Sequence, residues 1–397
     1  MRLFNNINKL LLLFVLCINC NNIYGQDINT VLDEIDKNNL QLKSLRHNIE
    51  SQKSEGREGL YLPDPEIEFN YLWGNPSILG ESGSFSATQS FDFPTAYIYK
   101  RNVVDQNDVN LELYYKSQRI DILLKAYNLY IDIVYCNGLI DIYNEYLKEA
   151  EVVAMAYQKK MENDEATVFE VSKSQLALAD IKGQIDQLQV RRTNLVTELT
   201  TLNGYNNLNV TNDSYNMKLL PEDFNKWYEY VSSKSPVLQY VNGVVAMQKE
   251  NVKLSKAQNL PKLSAGYMFE KSVGQHFQGV KLGFALPVWS AKNRMSKVKA
   301  ELMAAEADAE LVHLEFYNRI YSSYNSAKTL YKTALDYRKS ISAYSKSELL
   351  RAALDSGEMN IIDYFTELNF YNNIKEKALE AERNYYQIMA ELESVTF

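Results

Sequence analysis

Cysteine is scarce: of three in 397 residues, Cys17 and Cys20 lie near the N-terminus, and only Cys136 follows. A lone thiol closes no internal disulfide, so this is no disulfide scaffold, and Cys136 reads as a small buried apolar residue. Histidine is as rare. His47, His276 and His313 are scattered, with no H-E-x-x-H and no cysteine nearby, so no metal site is readable. Positive charge is in deficit, the formal net charge being −8, which excludes nucleic acid as a natural partner. No phosphate-binding loop, dinucleotide fingerprint or nucleophile-base constellation is present, so no catalytic residue and no cofactor is assigned. After residue 25 there is also no apolar run long enough for a transmembrane helix.

What is present begins with a secretory signal over residues 1–25. Arg2 and Lys9 precede the apolar run Leu10 to Ile18, and Ile23-Tyr24-Gly25 makes a cleavage site ahead of Gln26. Cleavage there would take the net charge from −8 to −10. The alternative for Cys20 is lipidation. If the exported chain crosses a membrane, it must do so with strands.

Proline is missing where it matters most. From Pro94 to Asp164 there is no further proline and one glycine, Gly138; from Pro287 to the C-terminus there is again none, and one glycine, Gly357. Each stretch reads as helix of unusual length, since about 65 residues at about 1.5 Å each make a rod on the order of 100 Å. The two align without a gap at an offset of 193, Pro94 on Pro287, Arg101 on Arg294, Glu165 on Glu358 and Glu170 on Asp363. That is a repeat signal.

The first copy, residues 26–204, opens with helical spacing from Asp27 to Gly59. A β-hairpin over 62–93 follows, with Ile67, Phe69, Tyr71 and Trp73 alternating against polar residues, and then long helices over 95–203 that turn back around Asp164. An asparagine-rich connector spans 205–226. The second copy, 227–397, repeats the plan: a helix from Trp227 to Asn259, a hairpin over 260–287 and long helices over 288–397. The fold class is mainly α with a small β part. The lengths predict that each rod lies beside two shorter helices stacked end to end, with the connector and both termini near its middle.

Each copy supplies two strands of the length and alternation suited to a membrane barrel. Four strands cannot close one, and an open edge in lipid leaves backbone groups without partners. Several chains must therefore pool their strands. At this point the doubled plan, the Leu62-Pro63 and Leu260-Pro261 openings, the strand ends Phe93-Pro94 and Leu286-Pro287-Val288-Trp289, and the turn Gly357-Glu358-Met359-Asn360-Ile361-Ile362-Asp363 resemble the TolC family of outer-membrane efflux proteins. The resemblance runs from about residue 28 to the end. Within the family, Asp64-Pro65-Glu66-Ile67-Glu68, Gly74 and Gln89-Ser90-Phe91 are similar to the CzcC-like heavy-metal branch. The family implies a homotrimer in a Gram-negative outer membrane, with a 12-stranded β-barrel continued by a periplasmic α-helical barrel. It also implies a tripartite efflux pump, in which a periplasmic adaptor and an inner-membrane transporter of the resistance-nodulation-division type are the partners, and heavy-metal cations are one cargo class. A type I protein secretion exit shares the architecture.

Five acidic residues mark the tip turns: Asp164, Glu165, Asp355, Glu358 and Asp363. Under three-fold symmetry an inward carboxylate becomes a ring that attracts cations; the alternative is a solvated helix end that suits the helix dipole. Thr167, Val168, Phe169, Asn360, Ile361 and Ile362 lie where the resemblance implies adaptor docking, or else pack between helices. Tyr71, Trp73, Phe91, Phe93 and Trp289 are candidates for the interfacial aromatic belt, core packing being the alternative. Lys100, Arg101 and Arg294 follow the strands and suit structural ion pairs. Two rivals stand outside transport. A pore-less exported coiled coil leaves the strands unexplained, and a surface-modifying enzyme would need convergent carboxylates where the acidic pairs fall on helix faces and turns.

Overall fold

A computed structural model describes residues 26–397 apart from positions 217, 273, 288, 290, 345 and 346. The expected signal segment, residues 1–25 with Cys17 and Cys20, lies outside the described residues. In chain order the elements are α1 (Ile28–Asn38), α2 (Leu40–Glu58), β1 (Glu66–Trp73), β2 (Glu81–Phe91), α3 (Pro94–Glu162) and α4 (Val168–Leu202). These are followed by α5 (Phe224–Lys234), α6 (Pro236–Ala257), β3 (Lys262–Ser272), β4 (Gln275–Ala285), α7 (Arg294–Tyr344), α8 (Ser347–Asp355) and α9 (Ile361–Ser394).

The α3 rod runs 69 residues without a break, roughly 100 Å at the standard rise. Pro94 occupies its first turn, where a missing N–H costs nothing. The helix stops at Asn163, Asp164 adopts φ +62°, and Thr167 opens α4 with a capping box shared with Glu170.

Three expectations need correction. The Asp27–Gly59 segment is two helices, because Asn39 leaves helical geometry, accepts from Leu42 N–H and donates to the Leu202 carbonyl. The Trp227–Asn259 segment is likewise split, since Ser235 caps the next helix and Pro236 starts it. The second rod does not copy the head of the first: α7 begins at Arg294, seven positions after Pro287.

The core is elongated like the rods. One cluster surrounds the middle of α3, where Ile131, Ile133 and Val134 pack against Val31 and Ile35 of α1, Leu199 of α4, Ile320 of α7 and Tyr385 of α9. The first described residue, the connector and the C-terminus meet there. Gln26 N–H reaches the Asn209 carbonyl at 2.9 Å, Tyr215 Oη donates to the Ile131 carbonyl at 2.7 Å, and the Phe397 ring stacks near Tyr127. Gly138 permits this approach, because a Cβ on it would sit 2.7 Å from the Asp213 carbonyl oxygen. Cys136 is fully buried in the same region, and burial pushes its thiol pKa up. A second cluster, near the far turns, joins Tyr146, Val153 and Tyr157 to Ile181, Leu354, Ile361, Tyr364 and Phe365.

Candidate functional site

At one end of the rods, β1 to β4 form one antiparallel sheet in sequence order. Strand alternation gives it two unlike faces. The register puts Phe69 opposite Phe85 and Phe85 opposite Phe269; Ala265 faces Leu282 and Leu263 faces Phe284. Ile67, Tyr71, Trp73 and Val280 belong to that same face by alternation. The other face is mostly polar, with Glu66, Glu68, Asn70, Ser82, Ser84, Ser86, Thr88, Ser90, Ser264 and Lys281, and includes Leu72, Met268 and Phe277. The apolar face is bare in the single chain: Phe69 is 77% exposed, Val280 82% and Leu282 81%. So much uncovered apolar surface on a sheet of polar underside demands an apolar surrounding. The outer edges of β1 and β4 pair with no strand in the described chain.

Among the aromatic candidates, Tyr71, Trp73 and Trp289 are exposed, whereas Phe91 and Phe93 are half-buried at the entry to α3. Sequence reasoning passed over the Phe69, Phe85 and Phe269 row. Only strand register brings these three rings into line, and the Phe69 and Phe85 centroids lie 5.0 Å apart.

Where strands become rods, Asp92 bonds Lys100 at 2.9 Å and Lys262 at 3.4 Å, tying both hairpins to the head of α3. Arg101 makes an exposed pair with Asp105 at 3.8 Å. Arg294 pairs with no carboxylate among the described residues; its guanidinium donates to the Gln258 carbonyl at 2.9 Å, closing the end of α6.

At the opposite end the two turns lie side by side over the second core cluster. Asp164 and Glu165 are exposed, and the Thr167 backbone and hydroxyl hold the Glu170 carboxyl below its usual range. Asn360 caps α9, accepting from Ile362 and Asp363 N–H at 3.0 and 2.9 Å and donating to Asp363 Oδ2 at 2.7 Å. Asp355 accepts from Arg351 at 3.0 Å, and Glu358 is exposed. Val168 and Phe169 project from the first turn, 72% and 66% exposed, and Ile362 from the second. Ile361 does not: it is 1% exposed and packs in the cluster beside Leu354 and Tyr364. Burial lifts the Tyr364 phenol to about 12. Among the described residues no group of His, Cys, Asp and Glu is arranged to hold a metal, and no helix is long and apolar enough to cross a membrane.

No family model matches the sequence, and no curated protein matches it. Solved structures do. The CmeC outer membrane channel of Campylobacter jejuni superposes with a TM-score of 0.77 at 16% identity, over 93% of this chain and 85% of that one. The transmembrane channel protein CusC gives 0.79 at 12%, over 94% and 95%. The open-state MtrE outer membrane channel of Neisseria gonorrhoeae gives 0.75 at 14%, over 93% and 88%. Matched over 93–94% of its length, the chain has the fold of the TolC-family outer-membrane channels.

Proposed function

We propose that this protein is the outer-membrane exit duct of a tripartite efflux pump. Three copies pool their sheets into a 12-stranded barrel, β4 of one copy pairing with β1 of the next, and the rods continue the pore as an α-helical barrel in the periplasm. The observation that carries the reading is the sheet itself, apolar on one face, hydroxyl-rich on the other and unpaired at both edges. Closure satisfies the edges, turns the apolar face to lipid and the polar face to water.

Transport through it is passive. A periplasmic adaptor docks on the tip through Val168, Phe169 and Ile362, with Thr167 and Asn360 shaping the turns, and an inner-membrane transporter of the resistance-nodulation-division type supplies the energy. The tip carboxylates Asp164, Glu165, Asp355, Glu358 and Asp363 set the cation preference of the entrance. Heavy-metal cations are the first cargo to test, through growth of a deletion strain on copper and zinc.

Planar-bilayer recording decides the channel role. The purified full chain is expected to give discrete, cation-preferring conductance steps. A protein extracted in buffer without detergent that leaves a bilayer silent would be a pore-less coiled coil instead.

A further inference from the structure

On the apolar face of the sheet, at the hairpin-turn end away from the rods, lies an open hollow of about 650 Å³. Its floor is the row of Phe69, Phe85 and Phe269 rings. Gly83 makes the hollow: it stands between Tyr71 on β1 and Lys271 on β3, and the missing side chain leaves a gap in an otherwise filled face. The polar rim is uneven. Glu81 lines the hollow from β2, two positions from Gly83 on the same face. Lys271 forms no ion pair with any described residue, and it lies directly opposite His276, whose ring is 6.4 Å from Phe269. Lys271 and His276 place two N–H donors side by side on this face, with the Glu81 carboxylate next along β2 from Gly83. The same two groups sit one step beyond a floor of phenyl rings.

That order, an apolar floor and then the unpaired Lys271 ammonium with the His276 ring beside it, matches an amphiphile whose chains lie on the rings and whose head offers phosphate oxygens. We infer that Lys271, His276 and the Gly83 hollow form a binding site for a phosphate-bearing lipid of the outer leaflet. The inference rests on the strands spanning the membrane as proposed above. The ammonium of Lys271 and the imidazole of His276 donate to the phosphate oxygens, and an acyl chain fills the space over Gly83.

Native mass spectrometry of the full chain in detergent tests this with bisphosphorylated lipid A, its phosphate-free derivative and inorganic phosphate as probes. Lipid A is expected to bind about tenfold more tightly than the phosphate-free lipid, as one charge-assisted contact provides. The double variant Lys271→Gln, His276→Gln is expected to erase that preference while still binding both lipids. Gly83→Leu is expected to weaken both; its Cβ would meet nothing closer than the Asn70 carbonyl oxygen at 3.8 Å, so the strand accommodates it. Inorganic phosphate is expected not to displace the lipid. A preference that survives the double variant, equal binding of the two lipids by the unaltered chain, or displacement by inorganic phosphate would overturn the assignment. Conductance of the same preparations is read separately. A conducting chain without lipid preference defeats this site alone, and a non-conducting chain defeats the channel.

Discussion

The two halves of the chain follow one plan but hold their short helices by different chemistry. In the first half the seam between α1, α2 and α3 is ionic: Asp36 meets Arg119 at 2.7 Å, Glu112 takes both Arg46 and Lys53, and Arg57 reaches Asp108 at 2.9 Å. In the second half α5 meets α7 through rings, Phe224 and Tyr228 against Phe316, Tyr317, Tyr321 and Tyr324. Next to it, α6 approaches α3 so closely that a Cβ on Gly243 would lie 2.1 Å from Asn110 Oδ1. A duplicated architecture therefore constrains shape, not the forces that maintain it. Salt and acid should act on the first seam and spare the second.

The sharpest way to separate the halves is to empty the aromatic seam. Phe316→Ala, at a position 4% exposed, is expected to cost about 3–5 kcal/mol, read as a lowered melting temperature that does not change with salt. Gly243→Val should follow, at about 1–3 kcal/mol from overpacking against Asn110, with relief when Asn110→Ala is added.

The ionic seam should give smaller, condition-dependent effects. Glu112→Gln is expected to cost at most about 1 kcal/mol, since the pair is partly exposed, and the loss should fade at high salt. Hydrogen bonds first from Lys53 and then from Arg46 hold the Glu112 carboxyl below its ordinary value of 4.5. Its contribution is therefore fully present above that value and is lost as pH falls through the lower folded value. Acid titration of the Gln variant should lack that component, and equal acid sensitivity in both proteins would break the comparison.

The smallest effect concerns the two tips. The pair Asp355→Ala and Asp363→Ala is expected to lower the cation-to-anion permeability ratio in planar bilayers while leaving thermal stability nearly unchanged. An unaltered ratio would leave those carboxylates as solvated helix ends. Crosslinkers placed at Thr167 and Asn360 should trap a co-expressed adaptor, and absence of adducts during pumping would count against docking there.

Much of this arrangement was legible in the sequence, and the exceptions have physical causes. The rods could be read because proline is absent between Pro94 and Asp164, and the strand faces because alternation needs no tertiary information. The break at Asn39 could not, since its amide is recruited by Leu202, far along the chain. Pro236 was visible in the sequence, but the helical spacing around it concealed a helix start. At the tip, Val168, Phe169 and Ile361 look alike in sequence, suited either to docking or to interhelix packing; the first two are exposed, whereas Ile361 is buried by Leu354 and Tyr364 on neighbouring turns. The phenyl row and the Gly83 hollow required strand register, which links residues of separate hairpins.

The central claim is that neither hairpin is complete within one copy. Imaging the detergent-purified full chain by electron microscopy tests it most directly. A three-fold particle with a continuous central hole through sheet and rods is the expected result; a monomer, or an assembly without a hole, would contradict the account.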